Sequence, residues 1–82
     1  MSILYMISLL RVYVYPDTLI FFNNNRDITD KLILDYHVCI TTINRKHDCY
    51  LEVEGLFEDI HKVRIILQDL ERENYRDLFL KT

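Results

Sequence analysis

The alternation of side chains in residues 49–54 is the feature that most constrains this fold. Two sets of residues alternate there: Cys49, Leu51 and Val53 in one set, and Tyr50, Glu52 and Glu54 in the other. Successive side chains of a β-strand point to opposite faces of the sheet, so this strand has one apolar face and one polar face. A strand with one face in water is typical of an antiparallel sheet, and helices must then cover the other face.

The residues on both sides of this strand predict its neighbours. Residues 38–44 are rich in β-branched side chains and predict a strand that pairs with residues 49–54 across a polar turn. Gly55 is expected to end the second strand. A helix is predicted at residues 57–73, because apolar residues recur there at helical spacing: Ile60, Val63, Leu67 and Leu70, with Ile66 beside them. Residues 75–82 are expected to add a short helix that closes the core or docks on a partner.

A further strand is predicted at residues 3–15, where β-branched and aromatic residues follow an apolar run. We expect residues 3–10 to form a buried strand. Arg11 interrupts the run before the ~20 residues that a membrane helix needs, and no signal-peptide pattern is present. Pro16 is expected to stop the strand, because it has no N–H to donate to a ladder.

Residues 16–22 fit either a short helix, with Asp17 as a candidate cap, or a continued strand. The asparagine run at residues 23–25 predicts a turn, which the two preceding phenylalanines anchor in the core. A second helix is predicted at residues 27–37, with Asp27 as its cap. Its apolar stripe consists of Ile28, Leu32 and Tyr36, with Ile33 beside them.

The chain length, the net charge and the number of cysteines favour one intracellular domain. The chain has 82 residues, which are expected to form a single domain over residues 1–82. Ten basic residues oppose thirteen acidic ones for a formal charge of −3, the opposite sign to most nucleic-acid-binding domains. The two cysteines, Cys39 and Cys49, are fewer than a small secreted scaffold carries. We therefore expect reduced thiols in an intracellular, cytoplasmic protein without a membrane segment.

These elements predict an α+β domain with a three-stranded antiparallel sheet and two or three helices on one face. The order of the elements, βααββα, is that of a type I KH domain, and three stretches resemble one. They are VYVYP at residues 12–16, DITDKLILDYHVCI at residues 27–40, and CYLEVEGLFEDIHKVRIILQDL at residues 49–70. The resemblance spans about residues 12–72. It is greatest to the degenerate KH-like repeats of large PARP-family ADP-ribosyltransferases and related RNA-binding-motif proteins.

The resemblance implies a KH-like fold and, with it, contact with single-stranded RNA. Nucleic-acid-binding KH domains carry a GXXG loop between their first two helices, where glycines let the backbone approach the phosphates. Asn23, Asn24, Asn25 and Arg26 hold that place here. Asparagine tolerates a positive φ, so we expect a tight turn. A side chain at each position nevertheless blocks close contact between the backbone and a phosphate.

Two His-x-Cys pairs, at residues 37–39 and 47–49, carry ligand types that bind zinc. If the two strands pair about a turn near residue 46, Cys39 lies opposite about Val53. Cys49 is then four residues further along, roughly 13 Å away at ~3.3 Å per residue. The four ligands cannot meet within one chain, so we expect no metal and no other cofactor. A Cys–His nucleophile would need an orienting group and an oxyanion site, and we expect no enzyme activity.

Two hypotheses of function remain, and both describe a non-catalytic binding module. In the first, a degenerate KH-like domain contacts single-stranded RNA within a larger complex. Four residues are its candidate contacts: Arg26, Arg45, Lys46 and Tyr50, the last as a stacking platform beside Tyr13 and Tyr15. In the second, the chain is a protein-interaction or assembly subunit. An exposed edge strand at residues 3–10 would then pair with another chain or with a second copy.

Overall fold

The structure, a computed structural model, describes residues 6–81 and the side chains of residues 6–74. The elements follow the order β1 (Ile7–Tyr13), α1 (Pro16–Asn24), α2 (Arg26–Tyr36), β2 (Cys39–Asn44), β3 (Cys49–Leu56) and α3 (Phe57–Lys81). The predicted α+β class and βααββα order are therefore confirmed. Within this part of the chain, no helix is both long and apolar enough to cross a membrane.

Strand β3 is the centre of a three-stranded antiparallel sheet of order β1-β3-β2. Val53 of β3 pairs with Leu10 of β1 and with Ile40 of β2, which sets the register on both sides. The alternation predicted for β3 is confirmed on its apolar face, where Leu51 and Val53 are fully buried. The sheet therefore has one face against the helices and one face that none of the described helices covers, which we call the open face.

Three helices supply the other half of the core. Helix α3 contributes the buried residues Ile60, Val63 and Leu67. Helix α1 contributes Leu19 and Phe22, and α2 contributes Leu32, which are also buried. The stripes predicted for the second and last helices are the surfaces that pack inward, since Ile28, Tyr36, Ile66 and Leu70 are half-buried beside this core. Full burial of one such side chain contributes about 1.5–3 kcal/mol, so these few residues dominate the stability of so short a chain.

The first strand differs from the expectation of a buried strand. It spans Ile7–Tyr13, and the predicted positions 3–5 lie outside the described residues. Ile7 is 66% exposed and Leu9 is 54% exposed, whereas Val12 is buried. The prediction of burial was wrong for Ile7 and Leu9 because their side chains lie on the open face, which no helix covers.

Residues 16–22 are helical, which decides between the two predicted alternatives. Pro16 occupies the first position of α1, where its missing N–H costs nothing, and its fixed φ suits the helix. Tyr15 is the N-cap and Asp17 lies in the first turn, so the prediction of Asp17 as cap was wrong. Asp27 likewise lies in the first turn of α2, and Asn25 is the N-cap.

The asparagine run is mostly helix rather than turn. Asn23 and Asn24 complete α1, and Asn25 is the single residue between α1 and α2. Its φ is −128°, so the junction does not use the positive φ that the run suggested. Among the described non-glycine residues, only His37 has a positive φ, and it ends α2 in the left-handed conformation common at helix C-termini.

The C-terminal half departs from prediction at two boundaries. Gly55 lies inside β3, which continues to Leu56 and passes directly into α3. Residues 75–81 continue α3 as one helix, so the prediction of a separate short helix was wrong. Gly55 matters for packing, because a Cβ there would lie 2.9 Å from Cγ1 of Val38.

We predict that Gly55→Ala destabilises the protein by about 1–3 kcal/mol, the usual cost of overfilling a packed core. The same change should cost at least about 0.5 kcal/mol less in a Val38→Ala background, because the opposing methyl is then absent. Urea unfolding of the wild type, both single variants and the double variant measures this coupling. Additive effects would contradict the close approach of Gly55 and Val38.

Candidate functional site

A polar groove of about 180 Å³ lies between the α1–α2 junction and strand β2. Its apolar lining consists of Phe22, Ile33 and Ile40. Its polar lining consists of Asn23, Arg26, Thr29, Asp30, Thr41 and Thr42. Most of the lining residues carry hydrogen-bonding side chains, so the groove can donate to and accept from a polar ligand.

Hydrogen bonds between residues close in sequence stabilise the helix junction beside the groove. The side-chain amide of Asn25 donates to the carbonyl oxygen of Phe21 at 2.8 Å. The hydroxyl of Thr29 donates to the carbonyl oxygen of Arg26 at 3.0 Å. The Asn25 contact satisfies a carbonyl group in the last turn of α1, where helix carbonyls lack intrahelical partners, and the Thr29 contact lies in the first turn of α2, which begins at Arg26.

A contact between α1 and β2 closes one side of the groove. The hydroxyl of Thr42 donates to the side-chain oxygen of Asn23 at 3.3 Å. Asn23 is therefore a wall of the groove, although it is a helical residue and not part of a loop. The sequence pattern placed Asn23 in a turn, and it did not indicate that β2 forms the opposite wall of the groove.

The outer edge of β2 brings backbone groups to this groove. Arg45 and Asp48 exchange two backbone hydrogen bonds across the hairpin, at 2.8 and 3.2 Å. Because the direction of backbone groups alternates along an antiparallel strand, the N–H and C=O groups of Ile40 and Thr42 point away from β3. No strand of residues 6–81 pairs with this edge. These groups can therefore donate to and accept from a ligand in the groove.

Three of the four predicted contact residues lie on this side of the molecule. Arg26 lines the groove, and Arg45 and Lys46 lie in the hairpin turn that follows β2. All three are exposed, and none of them makes an ion pair with a described residue. Asp30 is the acidic residue in the lining and reduces the positive field near Arg26.

Tyr50, the fourth predicted contact residue, lies apart from Arg26, Arg45 and Lys46. Its side chain is only 2% exposed and lies on the open face of the sheet, away from the helices. The ring of Tyr13 lies 5.3 Å away between centroids, and the Arg11 guanidinium lies 5.1 Å above the Tyr50 ring. The expectation that Tyr50 offers a stacking surface was wrong, because neighbouring side chains already cover it.

Arg11 is held in place over that ring. Its Nε lies 3.6 Å from a carboxylate oxygen of Glu52, the residue opposite it in β3. A hydrogen bond with Tyr13 raises the pKa of Arg11 above its ordinary value, and the nearby Tyr50 and Glu52 add to this effect. The period-two pattern predicted that Tyr50 and Glu52 share a face of the sheet, but it gave no signal that Tyr50 would be covered.

The cysteine and histidine pairs are spread along the hairpin. Cys39 pairs with Glu54, one residue from the predicted Val53, and Cys49 pairs with Asn44. The two thiols therefore lie at opposite ends of β2, about 17 Å apart at ~3.3 Å per residue. Within the described residues, no three His, Cys, Asp or Glu side chains converge in a metal-binding geometry.

Comparisons with models of protein families, with curated proteins and with solved structures found no match to this chain.

We predict that Asn25→Ala destabilises the protein by about 1 kcal/mol, because the Phe21 carbonyl loses its side-chain donor at the helix junction. Asn24→Ala is the matched control. Asn24 is an exposed residue of α1, and alanine has the higher helix propensity, so this change should be neutral or slightly stabilising. Chemical denaturation of both variants distinguishes them. Equal effects would contradict a special role for Asn25 within the run.

Proposed function

We propose that this protein is a non-catalytic, KH-like binding module that holds single-stranded RNA in the groove between the α1–α2 junction and β2. The observation that carries the proposal is that the groove runs beside the outer edge of β2, to which no described strand is paired. That edge supplies backbone donors and acceptors, and Arg26 contributes a positive charge to the same groove. The element order, βααββα, supports the KH resemblance.

The groove suits a base better than a compact anion. Ile33 and Ile40, both half-buried, give it apolar surface, and the outward N–H and C=O groups of Ile40 and Thr42 can hydrogen-bond the edge of a base. Sequence-specific RNA recognition uses unstacked bases in this way, through their exposed edges. Asn23 and Thr42 can exchange their mutual bond for a bond to the ligand.

The basic side chains have a different role, which is to contact phosphates. Arg26 lies at one end of this surface, and Arg45 and Lys46 lie three and four residues beyond Thr42 along the hairpin. A strand of RNA that follows β2 would pass from Arg26 toward the turn. With no glycine at the junction, phosphate contact depends on these side chains rather than on the backbone.

The test is fluorescence anisotropy with a labelled pool of random single-stranded RNA at several salt concentrations. With three phosphates contacted, the slope of log affinity against log salt should be near −2, at about 0.7 per phosphate. Arg45→Glu combined with Lys46→Glu should weaken binding by roughly tenfold or more and reduce the slope to about −0.7, because two contacts are lost.

Lys62→Glu combined with Arg72→Glu is the matched control. It changes the net charge by the same amount, and both residues are exposed on α3 outside the groove lining. This control should lose much less affinity than the hairpin variant. A folded wild-type protein that binds no RNA at low salt would refute the proposal, as would equal losses in the two double variants.

A further inference from the structure

Strand β1 is the second edge of the sheet to which no strand of residues 6–81 is paired, and the direction of its backbone groups can be assigned. The N–H of Val14 donates to the carbonyl of Cys49 at 3.1 Å, in line with the β1–β3 register. Because the direction of backbone groups alternates along an antiparallel strand, Ser8, Leu10 and Val12 also face β3. The N–H and C=O groups of the residues between them therefore face outward: Ile7, Leu9, Arg11 and Tyr13.

The same four residues carry the side chains of β1 on the open face. Ile7, Leu9 and Tyr13 are 66%, 54% and 61% exposed. Proteins protect an edge strand with proline, a bulge, an inward charge or a covering element. Residues 7–13 contain no proline, pair with β3 without a break in register, and are not covered by another described strand. The one charged residue among them, Arg11, makes an ion pair with Glu52 of the same chain.

We propose that two copies of this chain pair through antiparallel β1 strands, with Leu10 facing Leu10 on the twofold axis. The two sheets then form one continuous sheet with three strands from each copy. In this register Leu9 faces the second copy's Arg11, and Ile7 faces the second copy's Tyr13. Every outward N–H and C=O of Ile7–Tyr13 gains a partner.

The sequence of β1 favours this register over its alternatives. Only pairings that set odd-numbered residues against odd-numbered residues satisfy the outward groups. A pairing centred on Arg11 sets two like charges opposite each other, which is destabilising. A pairing centred on Leu9 leaves Tyr13 beyond the end of the second copy's β1. The register centred on Leu10 avoids both faults, which is why a second copy fits this edge.

Packing on the helix side agrees with the same arrangement. Leu10 is half-buried against the core, because its outer side has no neighbouring strand. The second copy's Leu10 would cover that side. Ser8 would lie opposite the second copy's Val12, so no charged group is buried on the helix side of the contact.

The first test is sedimentation equilibrium of the wild type and of Leu9→Lys. The wild type should show a concentration-dependent monomer–dimer equilibrium. Leu9→Lys sets each lysine opposite the second copy's Arg11 and should raise the dimer Kd by about tenfold or more. Within one chain the new lysine lies opposite Glu54, so the variant should remain folded by circular dichroism.

The second test fixes the register by cross-linking in a Cys39→Ser, Cys49→Ser background. Facing residues of a pair without hydrogen bonds have Cα atoms about 4.5 Å apart, within the range of a disulfide. Leu10→Cys should therefore form a disulfide-linked dimer on mild oxidation. Ser8→Cys is the control, because its copies would lie about 13 Å apart, four residues along the strand.

Three outcomes would overturn the proposal. The first is a wild type that remains monomeric from about 1 μM to about 1 mM, a range of Kd that covers weak association. The second is a dimer that Leu9→Lys leaves unchanged, which would place the contact elsewhere. The third is cross-linking of Ser8→Cys as readily as Leu10→Cys, which would exclude this register.

Discussion

The burial of one face of β3 is the constraint on which the rest of the structure depends. Leu51 and Val53 are fully buried between the flanking strands and the helices, and Val63 and Leu67 of α3 are equally buried above them. Gly55 allows the close approach of Val38 at the point where β3 becomes α3. Within residues 6–81, a sheet of three strands with helices on one side leaves its other face and both edges uncovered, so the proposed contacts of this protein lie at those three surfaces.

The uncovered surfaces have different chemistry. On the open face, Arg11 and Tyr13 lie over Tyr50, and Arg11 is also paired with Glu52. The edge of β2 borders a groove with amide, hydroxyl and guanidinium groups. The edge of β1 instead presents Ile7, Leu9 and Tyr13. Polar ligands suit the edge of β2, and another apolar strand suits the edge of β1. RNA contact and self-association would therefore use opposite edges of the sheet and need not compete.

Strong periodicity predicted most of the fold. The alternation in β3 and the stripes of α2 and α3 correctly indicated which side chains pack inward, because burial repeats at the period of the element. Where period carries no information, expectations were wrong or left alternatives open. Pro16 is compatible with both a strand end and a helix start, and only the packing of Leu19 and Phe22 against the core decides for the helix. The asparagine run has turn composition, yet Asn23 and Asn24 are the last two residues of α1.

The candidate site was only half predictable from the sequence. Arg26, Arg45 and Lys46 could be identified by charge and by position near turns, whereas Thr42 and Ile40 gave no signal as groove residues. The sequence by itself determined the α+β class, the order of the elements and the inward face of each strong one, because these follow from local periodicity. The tertiary structure decided that Tyr50 is covered, that β2 forms a wall of the groove, and that β1 is a free edge. Those properties depend on strand order and on contacts between residues far apart in the chain.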